Sequence, residues 1–284
     1  MRKFYHALEM NDFHSKEISF SKFHGAGNDF VMIDGMNGGC TFSQEEIAAL
    51  CDRKTGVGAD GLIIIEPSQT LDFKMRYYNC DGRESTFCGN GGRCIAAFAH
   101  RLGLIGDECT YEGIDGIHHA TINVSSATEY FVRLSMRDVE KYDFDGTRLI
   151  INTGSPHYVT IVDNLNDFDV NREGARIRYD KNISKDGVNV DFMEFSEGRT
   201  KIRTYERGVE NETLACGTGV TAAAMATSLW KGGENIDIET SICTLNVRFD
   251  RDGQAFKNVI LSGPATFVFD GLFIFKEKNG DVRP

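Results

Sequence analysis

Three short patterns occur twice in this chain, in the same order and at similar separations. Gly25-Ala-Gly-Asn-Asp-Phe-Val-Met-Ile-Asp34 is echoed by Gly154-Ser-Pro-His-Tyr-Val-Thr-Ile-Val-Asp163. Gly56-Val-Gly-Ala-Asp60, ahead of an apolar run, is echoed by Gly187-Val-Asn-Val-Asp191, again ahead of one. Arg76-Tyr-Tyr-Asn79 leads to Cys88-Gly-Asn-Gly-Gly-Arg93, and Arg203-Thr-Tyr-Glu-Arg207 leads to Cys216-Gly-Thr-Gly-Val-Thr221. A period of about 130 residues is too long for a solenoid unit and fits a duplicated domain. The expected division is residues 1–134 with 268–284, carrying Cys88, and residues 135–267, carrying Cys216.

Within each half, β-branched and aromatic stretches such as Phe30–Asp34, Leu62–Ile65 and Phe73–Tyr78 alternate with glycine-rich turns and read as strands. Three helices are legible. Ser43-Gln-Glu-Glu46 offers an N-cap and an acidic first turn ahead of Ile47, Ala48 and Leu50. The other two open at Cys-Gly-x-Gly and continue into Ile95–Leu102 and Thr221–Leu229, whose small apolar side chains suit a helix buried by surrounding sheet. The expected fold is α+β, with two pseudo-symmetric domains, each a curled, mostly antiparallel sheet wrapped around a central helix.

A cysteine at a helix start lies beside backbone N–H groups that have no partner within the helix, and their partial positive charge favours thiolate and binds anions. Two such termini facing one cleft, one from each repeat, would supply two thiols and two anion cradles. Inverting a carbon centre without a cofactor needs that pair: one group removes the proton from one face while another delivers a proton to the opposite face. Helix termini and neighbouring groups are expected to bring the thiol pKa towards operating pH. Cys88 and Cys216 are therefore the candidate acid/base pair of a cofactor-independent amino-acid racemase or epimerase.

Other readings of the same residues are weaker. There is no Cys-x-x-Cys for redox exchange, and Cys80, Cys88 and Cys94 lack the ligand spacing of common structural zinc sites, so no metal is expected. The glycine-rich segment after Cys88 lacks the Lys-Ser/Thr of a phosphate loop and the dinucleotide fingerprint. No lysine stands in a recognisable pyridoxal-phosphate context. A net charge of -11 and a pI near 5.1 argue against a nucleic-acid surface. No apolar run approaches a membrane span, and the N-terminal stretch, basic at its start but carrying Glu9, Asp12 and Glu17, lacks a signal-peptide core. With eight cysteines and no such signal, the expectation is a cytoplasmic protein with free thiols.

The segments Lys22-Phe-His-Gly-Ala-Gly-Asn-Asp-Phe30, Asn79-Cys-Asp-Gly82, Cys88-Gly-Asn-Gly-Gly-Arg93, Gly187-Val-Asn-Val190, Glu206-Arg-Gly208, Ala215-Cys-Gly-Thr-Gly219 and Gly263-Pro-Ala265 resemble those of the diaminopimelate epimerase family, over about Phe20 to Phe275. The resemblance implies that family's fold and the interconversion of LL- and meso-diaminopimelate, which feeds lysine and peptidoglycan precursors, without metal or organic cofactor. It assigns catalysis to Cys88 and Cys216. Substrate binding falls to Asn28, Asn79, Asn189, Glu206 and Arg207, with Gly89 and Asn90, and Gly217 and Thr218, cradling the reacting carboxylate. His157 and Glu206 match the thiol-tuning residues.

The three asparagines also fit turn chemistry, and His157 after Pro156 also fits a structural role. Ser155 stands where the family commonly has asparagine, and Gly61 where some members have glutamine. The first seventeen residues have no counterpart in the pattern. A proline- or hydroxyproline-type racemase and a catalytically silent amino-acid-binding protein are the alternatives. The partner is a small-molecule substrate, with a homodimer as the default assembly.

Overall fold

The computed structural model describes residues 16–38 and 40–275, so most of the N-terminal extension lies outside the described residues. The first half lays down β1 (Glu17–Gly25), β2 (Asn28–Asp34), α1 (Gln44–Cys51), β3 (Gly61–Glu66), β4 (Phe73–Asn79), α2 (Gly89–Arg101), β5 (Glu108–Gly113), β6 (Gly116–Val124) and β7 (Glu129–Ser135). After a short β8 (Tyr142–Phe144), the order returns as β9 (Arg148–Asn152), β10 (Pro156–Ile161), α3 (Val170–Arg178), β11 (Asn189–Ser196) and β12 (Arg199–Glu206). A small β13 (Asn211–Thr213) then precedes α4 (Gly217–Lys231), β14 (Asn235–Glu239), β15 (Thr244–Asp252) and β16 (Ala255–Ile274).

Pairing directions repeat along with the elements. In the first half β2–β3 and β4–β5 are parallel, and in the second β10–β11 and β12–β14 are their counterparts. The other named pairs are antiparallel, as in β1–β2, β3–β4, β9–β10 and β11–β12. A shared sequence pattern thus produces a shared topology, which is the two-domain architecture expected from the repeat.

Strand β16 belongs to both halves. Its first part pairs with β15, Gly263–Thr266 pairs with β7, and Thr266–Ile274 pairs with β1. Because β16 touches both β7 and β1, the first sheet closes around α2. On the other side Met136 N–H donates to the Val259 carbonyl at 2.8 Å and Val139 bridges Phe256, leading the chain into β8 beside β9 and curling the second sheet around α4.

The two central helices are buried on every side over their first three turns, from Gly89 to Ala99 and from Gly217 to Ser228. Small and apolar side chains let a sheet wrap that closely, which explains the alanine runs. One apolar core continues from α2 through Leu134, Met136 and Leu261 to α4. Two satellite cores lie under α1 and α3.

Helix α1 starts as expected: Glu46 N–H donates to Ser43 Oγ at 3.2 Å and Ser43 N–H donates to Glu46 Oε2 at 2.7 Å. Helix α3, the counterpart of α1, is a fourth helix that the sequence reading lacked. Its apolar stripe is thin, with only Val170, Gly174 and Ile177 buried. Gly174 is needed because a Cβ there would lie 2.4 Å from the Tyr205 side chain.

Candidate active site

Cys88 and Cys216 cap the N-termini of α2 and α4, both in extended backbone. The two helix starts meet end to end. A Cβ on Gly217 would lie 3.2 Å from Gly89 Cα and 3.3 Å from the Asn90 nitrogen, so glycine is what lets the termini approach. Asn90 fastens the join, its amide donating to the Ala215 carbonyl of the other half at 2.8 Å. The structure therefore brings Cys88, Gly89 and Asn90 together with Cys216, Gly217 and Thr218. The first N–H groups of both helices open at this one junction.

Around Cys216 a buried chain of hydrogen bonds runs inward. Cys216 Sγ lies 3.4 Å from Thr218 Oγ1, Thr218 Oγ1 lies 2.9 Å from His157 Nε2, and His157 Nδ1 lies 2.7 Å from Asp191 Oδ2. Asp191 Oδ1 accepts from Thr204 Oγ1 at 2.8 Å, and His157 and Asp191 are both fully buried. With Nδ1–H donating to Asp191, Nε2 is the ring atom that faces the Thr218 hydroxyl, and that hydroxyl stands between the imidazole and the Cys216 thiol. The register that pairs His157 with Asn189, two residues before Asp191, creates this contact between β10 and β11.

Cys88 has a different set of partners. Its Sγ accepts from Gly91 N–H at 3.5 Å and lies 3.6 Å from Asn28 Oδ1, while Asn28 Nδ2 donates to Asp60 Oδ2 at 2.7 Å. In the repeat, Asn28 corresponds to His157 and Asp60 to Asp191, so both thiols face the same two strand positions with different chemistry. Asp191 and Asp60 were not singled out as site residues from sequence, although both close the same Gly-x-x-x-Asp pattern.

Behind Asn28 the charges are paired. Asp29 binds Lys22 at 2.7 Å and Arg53 at 2.7 Å, and Arg53 also reaches Asp60 at 2.6 Å. The Arg53 and Lys22 cations outweigh the burial penalty and lower the Asp29 carboxyl to about 2. Its folded pKa is below the unfolded value, so its contribution is present above pH of about 4 and is lost as pH falls towards 2. Acid unfolding followed by circular dichroism should therefore show a carboxylate-dependent loss in that window which Asp29→Asn reduces.

A third cluster lies on the second half. Asn189 Nδ2 donates to Ser155 Oγ at 2.9 Å and to the Pro156 carbonyl at 3.1 Å, and its Oδ1 accepts from Arg207 N–H at 2.8 Å. Arg207 Nη2 reaches Ser155 Oγ at 3.5 Å. Ser155 is thus held by the asparagine and the arginine that the family pattern assigns to substrate. Glu206, next to Arg207, accepts from Thr213 Oγ1 at 2.9 Å. Asn79 is exposed at the end of β4, opposite Gly61 in register, where its backbone closes the Asn79–Arg83 turn. Gly61 leaves no room for a side chain: a Cβ would lie 2.4 Å from the Tyr78 carbonyl.

The electrostatics differ from the expectation that helix termini would draw the thiols down. Burial, aided by the Glu206 carboxylate, pushes Cys88 up to about 11 even though N–H groups of Gly91 and Asn90 and the Arg93 charge act the other way. Burial pushes Cys216 well above the ordinary thiol value, with Glu206 and Asp191 adding to it. Desolvation of a thiolate simply exceeds what two helix N–H groups return. Glu206 is itself raised by burial. Among the described residues no group of three or more His, Cys, Asp or Glu side chains is placed to hold a metal ion, and no helix is long and apolar enough to cross a membrane.

The family model described as diaminopimelate epimerase matches residues 20–140 and 149–268. Diaminopimelate epimerase of Flavobacterium psychrophilum is 47% identical over 255 residues, covering 88% of this chain and 97% of the relative. The Chlorobaculum tepidum protein of the same name is 41% identical, covering 87% and 98%. Among solved structures, a phenazine biosynthesis protein of the PhzF family from Bacillus anthracis superposes with a TM-score of 0.72 at 15% identity, covering 92% of this chain and all of that one. A hydroxyproline epimerase from Agrobacterium vitis gives 0.70 at 14% identity, covering 92% and 94%. At those identities the last two speak for the fold alone.

Proposed function

The chain belongs to the diaminopimelate epimerase family, and from that membership and the paired thiols we propose that it interconverts LL- and meso-diaminopimelate by two-base proton transfer between Cys88 and Cys216. The observation that carries the mechanism is the junction of α2 and α4, which offers one thiol from each half beside two sets of helix N–H groups. The substrate carboxylate rests on those N–H groups, where negative charge also develops as the α-proton leaves. One thiolate takes the α-proton; the opposite thiol gives its own proton to the other face; the carbon inverts and the thiols exchange protonation states.

Because burial raises both thiols, a neighbouring group has to hold the proton that one of them gives up. Glu206, raised by its burial, and His157, reached from Cys216 through Thr218, are positioned for that task. Arg207 offers donors for the distal carboxylate, and the Asn189 and Ser155 oxygens offer acceptors for the distal ammonium. A second polar end is what separates this substrate from a proline-type ring, whose racemases share the fold. The free thiols throughout the chain fit a cytoplasmic enzyme supplying lysine and peptidoglycan precursors.

Incubating LL-diaminopimelate with the enzyme in deuterated water is expected to place one deuterium at the inverted α-carbon in each turnover, read by mass spectrometry. Hydroxyproline and proline serve as the comparison substrates. Exchange on proline and none on diaminopimelate would reverse the substrate assignment.

A further inference from the structure

The two half-sites also differ at the residue five positions after each cysteine. Arg93 and Thr221 occupy equivalent places in the repeat and do the same local job: Arg93 Nη1 donates to the Gly89 carbonyl at 3.2 Å, and Thr221 Oγ1 donates to the Gly217 carbonyl at 2.9 Å. A hydroxyl suffices for that bond in α4. In α2 the same bond is made by a guanidinium that is fully buried. Its other bonds go to Asn90 Oδ1 at 2.8 Å and the Pro264 carbonyl at 3.4 Å, and none of its hydrogen-bond partners is a carboxylate. Burying a cation without a counter-charge is costly, and the carbonyl bonds it makes to Gly89 and Pro264 do not supply one.

The charge lies at the start of α2. Arg93 holds the Asn90 amide, which reaches Asn28 Oδ1 at 3.4 Å, and the Cys88 thiol lies 3.6 Å from that same oxygen. Each half also has a carboxylate behind its thiol, but Asp60 behind Asn28 is paired with Arg53 at 2.6 Å, whereas Asp191 behind His157 on the Cys216 side has only the imidazole and the Thr204 hydroxyl. We propose that Arg93 is a positioning residue whose buried charge makes Cys88 the more acidic thiol of the pair, its missing counter-ion being the Cys88 thiolate and the carboxylate bound above it. The inference rests on the two-thiol reading of the site. It goes further in assigning the resting thiolate to one half and in naming the residue responsible.

Other groups act on Cys88 as well. The Glu206 carboxylate opposes Arg93, while Tyr77, Tyr111 and Cys94 are neighbouring groups held neutral by burial. Removing the charge at Arg93 leaves the Gly91 and Asn90 N–H groups alone against burial and Glu206, and raises the Cys88 thiol.

The test reads acidity and needs no turnover. Initial rates of iodoacetamide alkylation across pH, resolved for the Cys88 and Cys216 peptides by mass spectrometry, give a midpoint for each thiol. In the unaltered protein Cys88 is expected to have the lower midpoint. Arg93→Met should raise it by about one pH unit or more and leave Cys216 in place, while Arg93→Lys should restore most of the difference. Near-UV circular dichroism checks that the variants fold. A lower midpoint for Cys216 in the unaltered protein overturns the proposal even if no variant folds. So does a folded Arg93→Met with Cys88 unmoved, or with both thiols shifted alike. Failure of the two-thiol reading itself would appear elsewhere, as inversion by a chain lacking one cysteine.

Discussion

Cys216→Ala is expected to lower the rate of inversion by about 10³-fold or more, and Cys88→Ala by as much, because each removes the only thiol serving one face of the substrate carbon. The loss should not be total silence. With one thiol left, a proton can still be taken from and returned to the same face, and the thiol exchanges with solvent between those steps. Each variant should then wash deuterium into one stereoisomer without inverting it, and the two variants should act on opposite isomers. Chiral analysis of the recovered diaminopimelate, combined with mass spectrometry, separates exchange from inversion. Inversion at an undiminished rate by either variant would sink the two-thiol mechanism. Exchange of the same isomer by both would show that the thiols do not face opposite sides of the carbon.

How much of this site is legible in sequence depends on the range of the interactions involved. The positions of Cys88 and Cys216 at helix starts follow from local pattern, Cys-Gly-x-Gly before an alanine run, and both helices begin there. The duplication was visible because it is written in consecutive residues. The partners of each thiol were harder. Asp191 acquires a role only through the β10–β11 register that carries it to His157, and Asp60 only where it meets Asn28; neither contact has a local signature. The acidity of the thiols was read with the wrong sign because helix N–H groups are visible in sequence and desolvation is not. Helix α3 was missed for a related reason: its buried Val170 and Ile177 belong to a cluster completed by Val190, Phe192 and Tyr205 from β11 and β12, and Gly174 lies against Tyr205, so without those strands the segment is merely polar. Arg93 shows the limit most clearly. Its motif is plain, but a buried guanidinium with only carbonyl partners can be recognised only once the sheet has closed around it.

The junction of the two helices yields the second large effect. Gly217→Ala adds a methyl group 3.2 Å from Gly89 Cα, 3.3 Å from the Asn90 nitrogen and 3.3 Å from Leu261 Cδ2. Two of these neighbours are backbone of the opposing helix, which cannot rotate away as a side chain can, so the methyl is accommodated only by spreading the termini. Alanine is otherwise favourable at the start of a helix, and the cost to global stability should therefore be modest. Catalysis is more sensitive. A shift of a few tenths of an ångström to an ångström changes the separation of the thiols and opens the carboxylate cradle, and misplacement of that order costs about 10²-fold in rate. The expected signature is a fall in kcat of about 10²-fold with a smaller rise in KM, since Arg207, Asn189 and Ser155 at the distal end are untouched. Gly89→Ala meets Gly217 Cα at a looser 3.5 Å, its tightest contact being the end of the Leu261 side chain at 3.1 Å, which can move, and it should lose less. If Gly217→Ala retains full kcat, close approach of the helix ends is not what aligns the two thiols.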